Sequence, residues 1–469
     1  MNRFGNLIWN SRLQAILLLS QLIFLAVHVL PFQYSNYDTL IYAIIGKAIY
    51  RDGIMPYDYI FDHKPFLIYF FYGPLGLLES KINVFALFSV FWLLAISIVI
   101  YTILFKKRVP FLLILVLSIC ATFGTVSFSG NSEVVFVTLE LLAIGLAFHS
   151  MDRPFLFILS AVTAVAAVNI NYVSGPPLLF TLLYCLYISS RSISRFYYRS
   201  VVYLITCLII LFIVLGVLYF SGLDVINYLS LQRDFLLGYS GERLAVSTSF
   251  LIILLLPSFS VLLVFFPNLF SSVEHRSLHM TMSILIISSV ISFFLSAKFY
   301  NHYAFMVTAP AVVSFLTINY SRLWLRVTLT FSLILASFTY LCLSAYFYLN
   351  SQYSLDLWEF YRPLKEAVED QPIMSMHASI VPLYFSGAEP FQPLAWFDHA
   401  EIIYGAGADD FYADLLKKFP SFVMTSEEWC EKQKQDRAAC DALSAHYIQV
   451  QSRQTDWPAH GYSLYRLNH

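Results

Sequence analysis

Two carboxylates and a lysine stand early in this chain, in a pattern able to do acid–base and phosphate chemistry. The first carboxylate closes Tyr34-Ser35-Asn36-Tyr37-Asp38, directly after the first apolar run. The second heads Asp62-His63-Lys64-Pro65, two dozen residues on. Asp38, just past the end of a spanning segment and preceded by aromatics, can take a proton from an acceptor hydroxyl if it reaches the reacting atom. It can equally cap the helix expected to begin at Thr39, a common role for Asp. Lys64 sets a point positive charge before a helix whose first-turn N–H groups also favour anions, and the two together make a phosphate site. Asp62 can orient His63 or Lys64, or bind a cation through its oxygens; an interfacial salt-bridge cluster is the plainer alternative. Glu133 ends Ser129-Gly130-Asn131-Ser132-Glu133 and starts an apolar helix, where a carboxylate is also stabilising for ordinary reasons.

The elements that hold these residues must face lipid. The chain has 469 residues, is 59% hydrophobic and 12% charged, and has a mean hydropathy of +0.69. A soluble domain carries about 25% charged residues, and ionisable side chains inside a bilayer are costly enough to be mostly functional. A net charge of -1 gives no basis for nucleic-acid binding. Aromatics, at 17%, suit the two membrane interfaces. Cys120, Cys185, Cys207 and Cys342 sit in apolar runs and read as buried thiols, with no zinc-type Cys/His cluster. Cys430 and Cys440, in the polar tail, either stay as two thiols or, outside the cytoplasm, form a disulfide.

A spanning helix needs roughly 20 apolar residues. Such runs lie near 13–32, 84–105, 110–128, 134–150, 155–170, 173–189, 200–220, 247–266, 280–297, 304–318 and 327–349, which makes about eleven spans. The first run is too long, and too lacking in a small-residue cleavage site, for a removable signal peptide. Positive charge accumulates on cytoplasmic loops. Alternate loops carry Lys106-Lys107-Arg108, Arg153, then Arg191, Arg195 and Arg199, then Arg276, then Arg322 and Arg326, while the loops around Ser129–Glu133 and Asn171–Gly175 carry none. The amino terminus is therefore expected inside, and the first loop and the tail outside.

The expected division is a membrane domain over 1–349, with its first outward loop at 33–83, and an exterior domain over 350–469. In the loop, Thr39–Tyr50 repeats apolar residues at helical spacing, and 65–79 opens with a proline that suits a first helical turn. The tail concentrates charge and shortens its apolar runs. Residues 372–376, 422–425 and 447–451 read as strands, and 409–419 and 427–446 as helices. The fold class is thus an all-α polytopic membrane protein with a small soluble α/β domain at its carboxy terminus.

In this order the pieces resemble the GT-C superfamily of polyprenyl-phosphate-sugar-dependent glycosyltransferases, in the branch of protein mannosyltransferases and the lipid A aminoarabinose transferase. The resemblance rests on Asp38, on Tyr57-x-Tyr59-x-Phe61-Asp62-His63-Lys64-Pro65, and on Asn131-Ser132-Glu133. Lys298-Phe299-Tyr300-Asn301-His302-Tyr303 followed by Pro310, and the exterior tail, also fit. It implies a GT-C fold and a hexosyltransferase that moves a sugar from a polyprenyl-phosphate donor on the periplasmic face of a bacterial inner membrane. By the same resemblance Asp38 is the catalytic base, with Asp62 and Glu133 as further catalytic carboxylates. Lys64, Arg233 in the outward loop Gln232-Arg233-Asp234, Lys298 and His302 are donor-phosphate contacts. His63 stands where one relative has a metal-binding carboxylate, so a divalent metal at Asp62 and His63 stays open. Relatives often carry a lysine between the fifth and sixth helices; here Asn169-Ile170-Asn171-Tyr172 has no basic residue.

The expected partners are the lipid-linked sugar, a glycan or lipid acceptor (lipopolysaccharide O-antigen first) and the bilayer, with no nucleic acid. A rival enzyme is an O-antigen polymerase or ligase, which typically has a large late outward loop with arginines. A rival of another class is a lipid-linked-sugar transporter or flippase, which favours internal repeats and broken helices near the midplane; no repeat is seen here.

Overall fold

The structure is a computed structural model. It describes residues 15, 18–19, 21–22, 37–55, 62–78, 83–104, 109–123, 130–150, 153–190, 192–239, 275–296, 301–317, 357–376, 380–391, 408–426, 438–453 and 461–468. The helices are α1 (Tyr37–Asp52), α2 (Leu67–Gly76), α3 (Val84–Ile103), α4 (Phe111–Phe123), α5 (Ser132–His149), α6 (Pro154–Val168), α7 (Gly175–Ser189), α8 (Ile193–Phe220), α9 (Val225–Tyr239), α10 (Arg276–Ser296) and α11 (Phe305–Leu316). The tail adds α12 (Leu357–Val368), β1 (Ile373–Met376), α13 (Ile380–Ser386), α14 (Ala408–Leu416), β2 (Phe422–Thr425), α15 (Ala438–His446), β3 (Tyr447–Arg453) and β4 (Tyr462–Leu467).

Among the described residues, five helices are long and apolar enough to cross a membrane: Val84–Ile103, Ser132–His149, Tyr172–Ser189, Ile193–Phe220 and Arg276–Phe294. Each falls on an expected run. The runs at 247–266 and 327–349, and nearly all of 13–32, lie outside the described residues. The chain divides into two compact units. The first holds Met1–Ser35, Ile82–Val214 and Arg243–Tyr353; the second holds Asn36–Lys81, Leu215–Glu242 and Ser354–His469.

In the first unit, α5 is flanked by α3, α6, α7 and α11, and α10 packs on α7 and α11. Helices in lipid gain little from apolar burial, so small residues and interhelical hydrogen bonds must hold them. Accordingly, His279 on α10 meets Ser314 Oγ at 2.8 Å and Thr317 Oγ1 at 3.0 Å at the end of α11. Ser160 on α6 donates to Ala143 O at 2.8 Å and lies 2.9 Å from the Tyr203 hydroxyl on α8. Helix α8 begins earlier than its apolar run, where Ser192 Oγ accepts from Arg195 N at 3.3 Å, and Arg199 reaches back to the end of α7, donating to Ser189 O at 3.2 Å. Its outer residues stay uncovered by protein, Phe212 at 69% and Phe220 at 88% exposure, as a lipid-facing helix requires. The joint from α6 to α7 is tight: Asn171 accepts from Val173 N at 3.2 Å and starts a short 3-10 turn ahead of α7.

In the second unit, α1 and α2 pack at backbone distance. A Cβ at Gly46 would stand 2.4 Å from Gly73 Cα and from Tyr69 O, so only glycine fits there. Tyr42, Tyr69 and Tyr72 fill the rest of this interface, with Tyr42 edge-on to Tyr72 at 5.1 Å. The tail forms a four-stranded sheet of order β1-β2-β4-β3. β1 and β2 run parallel, while β4 is antiparallel to both β2 and β3. A parallel pair needs a crossover rather than a hairpin, and α13 and α14 lie in that connection. The strands expected at 372–376, 422–425 and 447–451 are found; β4, which joins β2 to β3, was not anticipated. Burial of Tyr361, Val423, Met424 and Leu464, all 0% exposed, forms this domain's core at roughly 1.5–3 kcal/mol per large apolar side chain. Cys440, on α15, is disulfide-bonded; Cys430 lies outside the described residues.

Candidate active site

The short segment 62–64 is held from two directions. Its own helix supplies Tyr69, fully buried one turn into α2, whose hydroxyl lies 3.1 Å from Asp62 Oδ2 and 3.1 Å from Lys64 O. A phenol has one hydrogen, so it donates to one of these oxygens at a time. The second clamp comes from α9. Gln232 Nε2 donates to Asp62 O at 3.3 Å and Lys64 O at 3.4 Å, one amide hydrogen for each carbonyl. Phe235 stacks on the His63 ring at 4.8 Å and 15°, and His63 Nδ1 lies 3.1 Å from Asp62 Oδ1. Asp62 is 1% exposed and Lys64 6%. Charges so withdrawn act on a ligand through a lower effective dielectric than water offers.

Helix α9 was read from sequence as part of an outward loop, and this is corrected: Val225–Tyr239 is helical. Asp224 starts it, its Oδ1 accepting from Ile226 N at 3.1 Å and Asn227 N at 3.0 Å. Tyr228, Gln232 and Phe235 then fall on one face at helical spacing, and all three are buried. Arg233 consequently points the other way. It is 67% exposed and ion-paired with Asp234 at 2.8 Å, so the contribution of this element to the segment at 62–64 comes from Gln232 and Phe235.

Asp38 sits in the first turn of α1, half-buried, and α1 packs on α2. Asp38, Asp62, His63 and Lys64 therefore belong to one compact unit. Glu133 belongs to the other, in the first turn of α5. It is 1% exposed, with Ser132 Oγ donating to its Oε1 at 3.3 Å. The turn ahead of it is built by Gly130, at φ +80, whose amide donates to Ser89 Oγ at 3.0 Å. His302 is half-buried in the 3-10 turn Asn301–Ala304, edge-on to Tyr303 at 4.8 Å. Lys298 lies outside the described residues. As for a metal, Asp62 and His63 offer two ligand-type side chains. Among the described residues no third His, Cys, Asp or Glu joins them in a group able to hold an ion.

No protein-family model and no curated protein matches this chain. Solved structures do. The fold matches the crystal structure of ArnT from Cupriavidus metallidurans bound to undecaprenyl phosphate over 97% of this chain and 98% of that one, with TM-score 0.59 and 12% identity. The apo state of that protein matches at TM-score 0.57 over 96% and 97%, also at 12% identity. An oligosaccharyltransferase from Archaeoglobus fulgidus, tethered with an acceptor peptide, matches over 97% of this chain and 74% of its own, with TM-score 0.50 and 11% identity. At such identities the likeness is one of fold. The chain shares the membrane fold that ArnT and the oligosaccharyltransferase have in common.

Proposed function

We propose that this protein is an integral-membrane glycosyltransferase that moves a sugar from a polyprenyl-phosphate donor to an envelope glycan, lipopolysaccharide O-antigen first, on the periplasmic face. The observation that carries the reading is the clamped segment 62–64: a buried lysine and a buried aspartate held rigid by Tyr69, Gln232 and Phe235, in the unit that also holds Asp38. The fold shared with a protein bound to undecaprenyl phosphate supports a lipid-linked donor, and a disulfide at Cys440 suits a tail outside the reducing cytoplasm.

Asp38 takes the proton of the acceptor hydroxyl as that oxygen attacks the anomeric carbon. The bond from that carbon to the phosphate oxygen breaks, and its electron pair leaves with the polyprenyl phosphate. One displacement inverts the anomeric centre. The charge growing on the departing phosphate meets the Lys64 ammonium, whose backbone is already fixed, so little reorganisation is needed when the bond breaks. Asp62 holds His63 and the turn in place.

The test is transfer by the purified full-length protein, using undecaprenyl-phosphate-linked radiolabelled hexose and a lipopolysaccharide acceptor, with the product's anomeric configuration read by NMR. Label in the acceptor with inverted configuration is expected. Retained configuration overturns the single displacement. Donor binding with no transfer to any acceptor, or label that merely changes leaflet, overturns the enzyme.

A further inference from the structure

Away from the segment at 62–64, the second unit contains an open groove between α1 and the turn after α13. It is a shallow surface groove, its space of about 440 Å³ being counted together with open solvent. Its rim is charged and its floor apolar. Lys47, Arg51 and Asp52 come from the last turns of α1, and Glu389 faces them from the stretch after α13; Tyr384 and Pro390 lie beneath. Arg51 Nε donates to Asp52 Oδ1 at 2.8 Å and its Nη2 to Asp52 Oδ2 at 2.8 Å, and Nη2 is also ion-paired with Glu389. The hydrogen bond from Arg51 holds the Asp52 carboxyl below the ordinary carboxylate range, and Lys47 pulls the same way.

We propose that this groove binds a saccharide: a subsite for the acceptor glycan, remote from the reacting hydroxyl. The inference rests on the glycosyltransferase reading for its purpose and on the groove's own chemistry for its ligand. A sugar offers adjacent hydroxyls that both donate and accept, and C–H faces that lie on apolar floors. Arg51 spends only Nε and Nη2 on its carboxylates, which leaves both Nη1 hydrogens to reach sugar oxygens. Asp52 and Glu389, at 31% and 50% exposure, keep lone pairs open to accept from sugar hydroxyls. Such a ligand adds to the ion pairs without breaking them. A phosphate, by contrast, must compete with two carboxylates for one guanidinium, and a hydrophobic peptide leaves the charged rim desolvated without new partners.

The experiment places a photo-reactive benzophenone residue at Ala388, beside the groove, in the full-length protein in membranes of cells making the envelope glycan. Val450, exposed on β3 and outside the groove, is the control position. Irradiation is expected to give an adduct at 388, positive to periodate glycan staining, at least several-fold stronger than at 450, and still present when Asp38→Asn is added. No glycan adduct at 388, equal adducts at both positions, or an adduct that is protein or lipid overturns the proposal. A second measurement uses Glu389→Gln without the probe. A KM for acceptor raised several-fold with kcat unchanged supports the subsite; an unchanged KM, or a loss confined to kcat, counts against it. The two readings fail separately. A glycan adduct in a protein that transfers nothing leaves the groove standing and removes the enzyme, and transfer without an adduct does the reverse.

Discussion

Asp62 and Glu140 are both withdrawn from solvent, at 1% and 0% exposure, and the molecule treats them in opposite ways. Asp62 lies in a turn outside the spanning helices, with the Tyr69 hydroxyl 3.1 Å from its Oδ2 and its carbonyl held by Gln232. Glu140 lies on α5, two turns beyond Glu133 on the same face, and neither of its carboxylate oxygens has a hydrogen-bond partner. One residue is fixed by a donor at its carboxylate from α2 and a donor at its carbonyl from α9; the other is simply enclosed. A buried charge does directed work only when its position is over-determined by such partners, and otherwise burial is a cost to the fold.

The largest effect belongs to the proposed base. Asp38→Asn is expected to lower kcat by about 10²–10⁴, the usual span for removing a general base, with donor affinity unchanged; near-normal turnover removes Asp38 from the chemistry. Next comes Lys64→Ala, expected to weaken donor binding roughly 10–100-fold, the size of a charged hydrogen bond worth about 1.5–3 kcal/mol. Titration with undecaprenyl phosphate measures it, and an unaltered Kd cancels the phosphate contact.

Gln232→Leu tests the clamp itself. Two carbonyls lose one of their donors, so the segment loosens by about 1–3 kcal/mol, read as faster amide hydrogen exchange over 62–66 and lower kcat with the protein still folded. Exchange identical to wild type shows that Tyr69 and Phe235 suffice. Glu140→Met sharpens the contrast from the other side. Removing an enclosed carboxyl without partners is expected to stabilise the protein by about 1–3 kcal/mol, seen as a higher melting temperature in micelles with transfer intact. A stabilised protein that no longer transfers sugar marks Glu140 as functional.

The smallest effect concerns pH. The folded-state value of Asp52 is depressed, by the Arg51 hydrogen bond first, so its contribution is present above the ordinary carboxylate value near ~4 and is lost as pH falls through the lowered folded value. The Arg51 tie is therefore expected to be constant from neutral pH down to about 4 and to weaken only below that. Both groups are largely exposed, so the change in melting temperature should be slight; a clear loss already at pH 6 assigns the dependence to other groups.

Much of this was legible in the chain. The Asp-His-Lys-Pro block, the apolar runs and three of the four strands could be named because each signal is local: a run of apolar residues, a proline before a helix, a short alternation. The clamp was not. Gln232 stands 170 residues beyond Asp62, and its stretch was read as a loop around the charged pair Arg233-Asp234. The cap at Asp224 and the spacing of Tyr228, Gln232 and Phe235 were available as signs of a helix. They could not say what that helix faced, nor that the bulkier charge beside Gln232 would turn outward. β4 escaped for a similar reason, since its place between β2 and β3 depends on pairing rather than on its own residues.

By itself the order of residues determined that this protein lives in a membrane, which carboxylates and lysine stand in the stretch after its first apolar run, and that a polar α/β segment follows the last one. These follow from the transfer of side chains between water and lipid, which each stretch undergoes alone. Tertiary structure alone decided that residues 36–81, 215–242 and 354–469 form one unit, that Gln232 rather than Arg233 serves the segment at 62–64, and that Asp62 is held while Glu140 is only enclosed. Those outcomes depend on which distant groups share a small volume, and hydrogen bonds are directional enough that a single helix face settles them.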